Sequence, residues 1–489
     1  MERYAGVLCP VSALPSRFGI GDFGKESFKF VDLLAENGFH LWQILPLNPI
    51  GYGHSPYQPF SSFALDEIYL DLDDLFRKHL IDKPMAFREK EQRVDYEAIR
   101  DYKRPLFFKA FLQEMALDHH CLDAFIVSHS WVKNWSIFMS MKRSENNASW
   151  NRWPLEKINK IKGGYESLSL KEKEAADYEI WLQKTLYEEW ENLKNYANKK
   201  GIRIIGDLPF YVGYDSCDVY EAQDEFLLDA DRKPSWISGV PPDYFSKTGQ
   251  RWGNPIYNWD KLKEDNYALI LNRIKNNAHL YDILRLDHFR AFDTYWKIPA
   301  SCPTAIDGSW VEAPGYEVFD LLKKEMPDAQ ILAEDLGELR PEVLLLRDHY
   351  HFPGMNVVQF TFIDSEVHHV THYKKENMVA YLGTHDNDTT KGFYLSLSEK
   401  DKELWNEILK TLGFLEGDFL DKLIAYELAL PAKYALLSLQ DVLKLGSEAR
   451  LNVPSVIDKI NWTWRIADYS LVKERLHSLF PLLERYKRL

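Results

Sequence analysis

The chain of 489 residues is 45% hydrophobic and carries a formal net charge of −14. That length fills one large domain with insertions, or two to three ordinary ones. The acidic balance excludes nucleic-acid phosphate and anionic membrane as main partners and leaves a neutral ligand.

Four cysteines, Cys9, Cys121, Cys217 and Cys302, lack CxxC spacing, so neither a disulfide framework nor a zinc knuckle is expected. The opening MERYAGVLCPVSALP is broken by Pro10 and has no signal-peptide pattern. No apolar run approaches the roughly 20 residues of a membrane helix, and the expected location is the cytoplasm. Aromatic content is 14%, much of it beside Gly, Pro and Asn, as in SWISGVPPDYFSKTGQRWGNPIYNW. Flat rings with polar edges suit sugars, which have apolar faces and hydroxyl rims.

Short apolar runs recur along the chain with helical stretches between them. In order they are AGVLCPVSAL, HLWQILPL, IRIIGDLPFYV, YDILRLDHF, AQILAEDLG, NVVQFTF, MVAYLGTHDN and YALLSLQDVL. Continuous apolar runs mark strands covered on both faces, as in parallel sheets. A helix follows the first, with Phe28, Val31, Leu34 and Ala35 on one face and Gly38 as its stop. Another starts at a capping box, Ser169 with Glu172, and carries Leu182, Leu186, Trp190, Leu193 and Ala197 before Gly201.

Eight strand–helix alternations predict an α/β fold, a (β/α)8 TIM barrel; a doubly wound open sheet alternates in the same way. The barrel is preferred because polar and charged residues repeatedly end the strand runs. One catalytic barrel over 1–489 is expected. It carries a helical insertion over about 80–165 and an aromatic loop insertion over about 211–260, both placed over the C-terminal mouth.

Several motifs are set aside. Gly19, Gly21 and Gly24 spell GxGxxG, but no acidic residue follows at the distance a dinucleotide ribose needs, and a tight turn is expected. Glu26 stands where a P-loop needs Ser or Thr. His368, His369 and His372 lack the acid of HExxH, and His119–His120 is read as surface. No metal and no cofactor are expected.

Three acidic residues end three strand runs: Asp287 in RLDHFR, Glu334 in AEDLG and Asp386 in GTHDND. One such Asp alone reads as a helix cap. Three at the same end of a barrel converge at the mouth where barrel active sites lie. Glycoside chemistry needs a proton donor and a nucleophile or base across the scissile bond. Arg285, two residues before Asp287 on the same strand face, is expected to hold that carboxyl's pKa down. Glu334 needs a less solvated pocket that keeps it protonated.

RLDHFR, AEDLG and GTHDND, in this order, resemble the motifs of the amylomaltase or disproportionating-enzyme family, a branch of the α-amylase superfamily. SALPSRFGIGDFG, WQILPLNPIGYGHSPYQPFSSFA, GDLPFYVGYDSCDV, GVPPDYFSKTGQRWGNPIYNW and NWTWR extend the likeness over nearly the whole chain. The resemblance implies a retaining 4-α-glucanotransferase acting on α-1,4-glucans and maltooligosaccharides. It assigns Asp287 as nucleophile, Glu334 as acid/base and Asp386 as third carboxylate.

It also implies that Arg285, His385 and Asp207 contact the sugar or orient the nucleophile, and that Ser55 and Tyr57 line the donor side. Tyr244 and Phe245 would cover the donor glucan, with Trp252, Asn254 and Pro255 in the adjoining wall. Ser455 departs from the family's Gly, and only Asn461 and Trp464 are carried over from that stretch. The rival readings are an amylase-type hydrolase with the same carboxylates and an inactive glucan-binding protein.

Overall fold

The computed structural model describes residues 2–88, 93–242, 246–337, 339–361, 375–454, 456 and 458–489. Twelve strands are present among them: β1 Tyr4–Leu8, β2 Leu41–Gln43, β3 Arg203–Leu208, β4 Trp236–Val240, β5 Gln250–Pro255, β6 Ile283–Leu286, β7 Thr294–Pro299, β8 Ser309–Glu312, β9 Ile331–Ala333, β10 Gly354–Val357, β11 Met378–Tyr381 and β12 Tyr434–Ser438. Eight form a parallel sheet in the order β10-β11-β12-β1-β2-β3-β6-β9. The ends of that sheet meet: Ala333 N–H donates to the Pro353 carbonyl at 2.9 Å, and Met355 N–H donates to Asp335 Oδ1 at 2.7 Å. The result is the (β/α)8 barrel expected from the sequence.

The crossover helices form for the reasons the sequence offers. α1, Lys25–Glu36, buries Phe30, Val31, Leu33 and Leu34 and stops at Asn37 and Gly38, whose φ of 77° is left-handed. The two insertion helices α2, Tyr96–Leu117, and α3, Val132–Ser144, come next. α4, Leu170–Lys199, starts at the reciprocal capping box of Ser169 and Glu172, and buries Leu182, Leu186, Trp190, Leu193 and Ala197. Trp190 Nε1 also donates to the Leu280 carbonyl at 2.9 Å, which satisfies the one polar atom of a ring in the core. α5, Ala268–Leu280, leads into β6, α6, Gly315–Glu325, into β9, and α7, Pro341–His349, into β10. α8, Phe419–Ala429, precedes β12, and α9, Ser470–Arg485, follows it. β12 is buried at all five positions, as a strand covered on both faces must be.

Two expectations need correcting. NVVQFTF is not one strand: β10 is Gly354–Val357, and Val358–Thr361 turns into a helix. The stretch 211–260 is not a structureless loop. It supplies β4 and β5 to a four-stranded antiparallel sheet, ordered β5-β4-β7-β8, whose other strands come from 294–312. Local patterning misses this because β4 pairs with β7 some way down the chain, through Trp236↔Pro299 to Gly239↔Trp296.

In the stretch 80–165, α2 and α3 pack along α4. Its start also reaches the loop that follows β12. Val94 N–H donates to the Thr463 carbonyl at 2.8 Å, and the Tyr96 hydroxyl donates to the Trp462 carbonyl at 2.7 Å.

Close packing at β3 sets the position of the site. A Cβ on Gly206 would lie 2.0 Å from the buried Tyr281 ring. Gly206→Ala is therefore expected to destabilise the protein by about 1–3 kcal/mol in urea unfolding; an unchanged midpoint would show that Tyr281 can move aside.

Candidate active site

Strands β3 and β6 build the floor of the site. Asp207 and Arg285 are partners in their parallel register, and both project into the barrel. Arg285 Nη1 donates to Asp207 Oδ2 at 2.6 Å, and Nη2 lies 2.9 Å from Asp287 Oδ1. A guanidinium so far from water is stable only when paired and hydrogen-bonded on this scale.

The Tyr57 hydroxyl donates to the same Asp207 oxygen at 2.7 Å, and its ring stacks on His385 with centroids 5.0 Å apart. His385 Nε2 is 3.5 Å from Asp386 Oδ2. Asp386 Oδ1 accepts from Asn452 Nδ2 at 2.6 Å, and its backbone carbonyl accepts from Arg450 Nη2 at 2.6 Å. One polar network thus runs from the barrel floor to the loop after β12.

Glu334, directly after β9, is held from the other side. Its Oε2 accepts the His288 N–H at 2.7 Å and its Oε1 the Leu336 N–H at 3.2 Å. His288 can present that N–H because it is left-handed, with φ 51° and ψ 45°, a conformation uncommon outside glycine. His288 follows Asp287, so this bond draws Glu334 up to the Asp287 end of β6. Next to Glu334, Asp335 ties β9 to β10 through the Met355 N–H and an ion pair with Arg347, both partners being almost fully buried.

The charge states differ by environment. Burial pushes Glu334 up to about 8; the neighbouring Asp287 charge adds to the rise and Arg285 opposes it. Burial also lifts Asp287, to about 6, aided by Asp207 and opposed by Arg285. Arg285 does pull the Asp287 carboxyl down, as expected, but burial outweighs that pull and leaves it raised. The order still leaves Asp287 ionised and Glu334 protonated at neutral pH. Asp386 moves the other way, to about 2: desolvation is outweighed by His385, Asn452 and Arg285.

Asp287, His385 and Asp386 open onto a groove of about 500 Å³, whereas Glu334, Asp207 and Arg285 are not among its lining residues. Of the residues singled out in the sequence, Ser55, Tyr57, Trp252, Asn254, Asp287, His385 and Asp386 line it. Asn254 is nevertheless engaged within the fold, donating to the Val212 carbonyl at 2.9 Å and accepting from Ser238 at 3.2 Å. Pro255 is buried in the sheet, where it pairs with Ile237, and does not line the groove. Tyr244, Phe245, Ser455 and the three histidines of 368–372 lie outside the described residues.

Asn461 lines the groove as well and holds its loop together, donating to the Val456 carbonyl at 2.9 Å; Trp464 does not line it. No described residue of 80–165 is among the lining residues; Tyr96 and Val94 instead brace the groove wall through Trp462 and Thr463.

Sequence reasoning missed His288, Gln58, Asn452 and Trp462. Gln58 Nε2 bonds the Trp252 carbonyl at 2.9 Å and so joins two walls of the groove. The His288 ring, kept neutral by burial and by Arg290, leaves its buried Nε2 without a protein partner among the described residues. His288 is legible only through its neighbour in RLDHFR, and Asn452 carries no local signal.

Among the described residues no group of His, Cys, Asp and Glu has the arrangement of a metal site, the four cysteines are free, and no helix is long and apolar enough to cross a membrane. A barrel whose mouth sets an ionised carboxylate against a protonated one, in a groove walled by aromatic rings, defines an enzyme of glycosidic-bond chemistry.

The comparisons narrow that class. The family model described as 4-alpha-glucanotransferase matches residues 9–471. The chain is 39% identical to the 4-alpha-glucanotransferase of Aquifex aeolicus over 99% of both chains, and 38% identical to that of Thermus thermophilus over the full length of both. It superposes on the amylomaltase of Streptococcus agalactiae, solved in complex with acarbose, with a TM-score of 0.94 at 35% identity and complete coverage of both chains. The chain belongs to the 4-alpha-glucanotransferase family, with glucans as its substrates and glucanotransfer as its reaction.

Removing Arg347 would strand the buried Asp335 carboxylate. Arg347→Ala is expected to cost about 3–5 kcal/mol of stability in urea unfolding; a cost under about 1 kcal/mol would show that Asp335 is held by the Met355 N–H alone.

Proposed function

We propose that the enzyme transfers α-1,4-glucan segments by retaining double displacement, with Asp287 as nucleophile and Glu334 as general acid/base. The donor is a maltooligosaccharide or starch-like glucan, and the acceptor is the 4-hydroxyl of glucose or another glucan. The observation that carries the assignment is the difference in partners: Asp287 faces the Arg285 guanidinium at 2.9 Å, whereas Glu334 is held by the backbone N–H groups of His288 and Leu336.

In the first step the Asp287 carboxylate forms a bond to the anomeric carbon while the bond from that carbon to the glycosidic oxygen breaks. The leaving oxygen takes the proton of Glu334. In the second, the acceptor 4-hydroxyl attacks the same carbon, its proton passes to Glu334, and the Asp287 ester bond breaks. Asp386, low in pKa and anchored by Asn452, is the third carboxylate, placed to bind sugar hydroxyls and to favour the positive charge that develops on the ring. Arg285, Asp207, Tyr57 and His385 orient the nucleophile and the sugar bound against it, and Ser55, Trp252 and Asn254 belong to the wall around them. The scheme uses no cofactor, and a cytoplasmic setting suits its neutral, soluble substrate.

The test is incubation with maltotriose and chromatography of the products. Glucose together with a ladder of longer chains at constant total reducing ends supports transfer. Rising reducing ends without elongation would assign the site to hydrolysis, with water capturing the intermediate in place of a sugar.

Asp287→Asn should lower kcat by at least about a thousandfold while leaving the fold intact, since the covalent route is removed. Activity should also follow a bell in pH. It is lost as pH falls through about 6, when Asp287 takes a proton, and again as pH rises through about 8, when Glu334 gives its proton up. A kcat/KM profile flat from pH 5 to 9 would refute both assignments.

A further inference from the structure

Trp310 is the tryptophan with the most exposed side chain among the described residues. It lies on β8, the outer strand of the small sheet, at the opposite edge from β5, whose Gln250, Arg251 and Trp252 line the groove. Its side chain is 41% exposed, although the surroundings fix it firmly. The Arg290 guanidinium lies 3.9 Å from the centroid of its ring and covers one face. Trp296 packs against it at 5.1 Å with planes 67° apart.

Both supports are themselves anchored. Arg290 is buried and donates to Thr294 Oγ1 at 3.3 Å, and Trp296 Nε1 donates to the Ala305 carbonyl at 2.8 Å. The turn before β8 closes tightly under Trp296, since a Cβ on Gly308 would sit 2.2 Å from that indole nitrogen. Trp310 is thus clamped on one face and one side, and its exposure belongs to the remaining face.

We infer that this free face of Trp310 is a secondary binding site for the α-1,4-glucan chain outside the active-site groove, stacking on the apolar face of a glucose unit. The inference rests on glucanotransfer as the reaction, and three features favour a glucan as occupant. An indole already held in place loses little rotamer freedom on binding, so the stacking contact is kept at little entropic cost. A single ring is too small for the apolar patch of several hundred Å² that a stable protein partner needs. The platform is also continuous with the site: Arg290 sits on the 3-10 turn Phe289–Phe292, which follows directly on Asp287 and His288. A polymer held at Asp287 extends past the groove, and the ring that the Arg290 of this turn backs is Trp310 on β8.

The test separates this site from the active site by substrate length and by direct binding. Trp310→Ala and Trp310→Tyr are compared with the unaltered enzyme on maltotriose and on amylose, and by retardation in native gels containing amylose. The expectation for Trp310→Ala is an unchanged rate on maltotriose, a KM for amylose raised about tenfold, and reduced retardation, with Trp310→Tyr restoring most of both.

Retardation and KM for amylose equal to those of the unaltered enzyme would overturn the inference. So would a matching loss on maltotriose, which would make Trp310 a support of the active site itself. The gel measures binding without turnover, so a failure of the glucanotransfer reading would appear separately, as unaltered enzyme inactive on maltotriose.

Discussion

The Arg285–Asp207 ion pair inside the barrel is the contact on which the site depends. It locks β3 to β6 at the height where Asp287 leaves its strand, and it sets where a buried positive charge sits. The pair also accounts for the position of Tyr57, which bonds the same carboxylate and carries His385 on its ring face. A buried guanidinium needs such company, because taking a charge from water costs several kcal/mol unless its donors are matched. Without Asp207, Arg285 would have only Asp287 as an ion-pair partner.

Sharing is therefore the functional feature. Burial lifts the Asp287 carboxyl, Arg285 opposes the rise, and the same guanidinium bonds Asp207 as well. Glu334 receives two backbone N–H groups and no cation of its own, and it keeps its proton. Asp386 sits at the exposed end of the network and is the most readily ionised of the three. Three neighbouring carboxyl groups are thus shifted to three different extents through burial and partners alone.

Much of this was legible in the sequence and some was not, for physical reasons. The barrel strands announce themselves because strands covered on both faces must be apolar throughout, and the ends of those runs mark the mouth. The helix opening at Ser169 was legible from its cap alone. NVVQFTF misled because an apolar run does not say which residues pair: register with β11 assigns Gly354–Val357 to the strand and leaves Val358 onward to a helical turn. The small sheet was invisible because its pairing is non-local, and Trp310 gained its meaning only from Arg290, twenty residues earlier in the chain. Asn452 reaches Asp386 across 66 residues, and no local pattern encodes such a contact. The raised titration of Asp287 follows first from burial and then from Asp207, 80 residues upstream, neither of which the RLD motif contains.

The register between β1 and β12 has a consequence for synthesis. Tyr4 pairs with Tyr434 and Leu8 with Ser438, so the first of the eight barrel strands in chain order borders the last. At roughly 5–20 residues per second, about 20 to 90 s pass before β12 emerges. Until then β1 has only β2 beside it, and its other edge offers unpaired N–H and C=O groups to any neighbouring chain. The nascent protein is thus most prone to aggregate while its active-site strands are already made, and ring closure, the step that ends this exposure, must wait for nearly the whole chain.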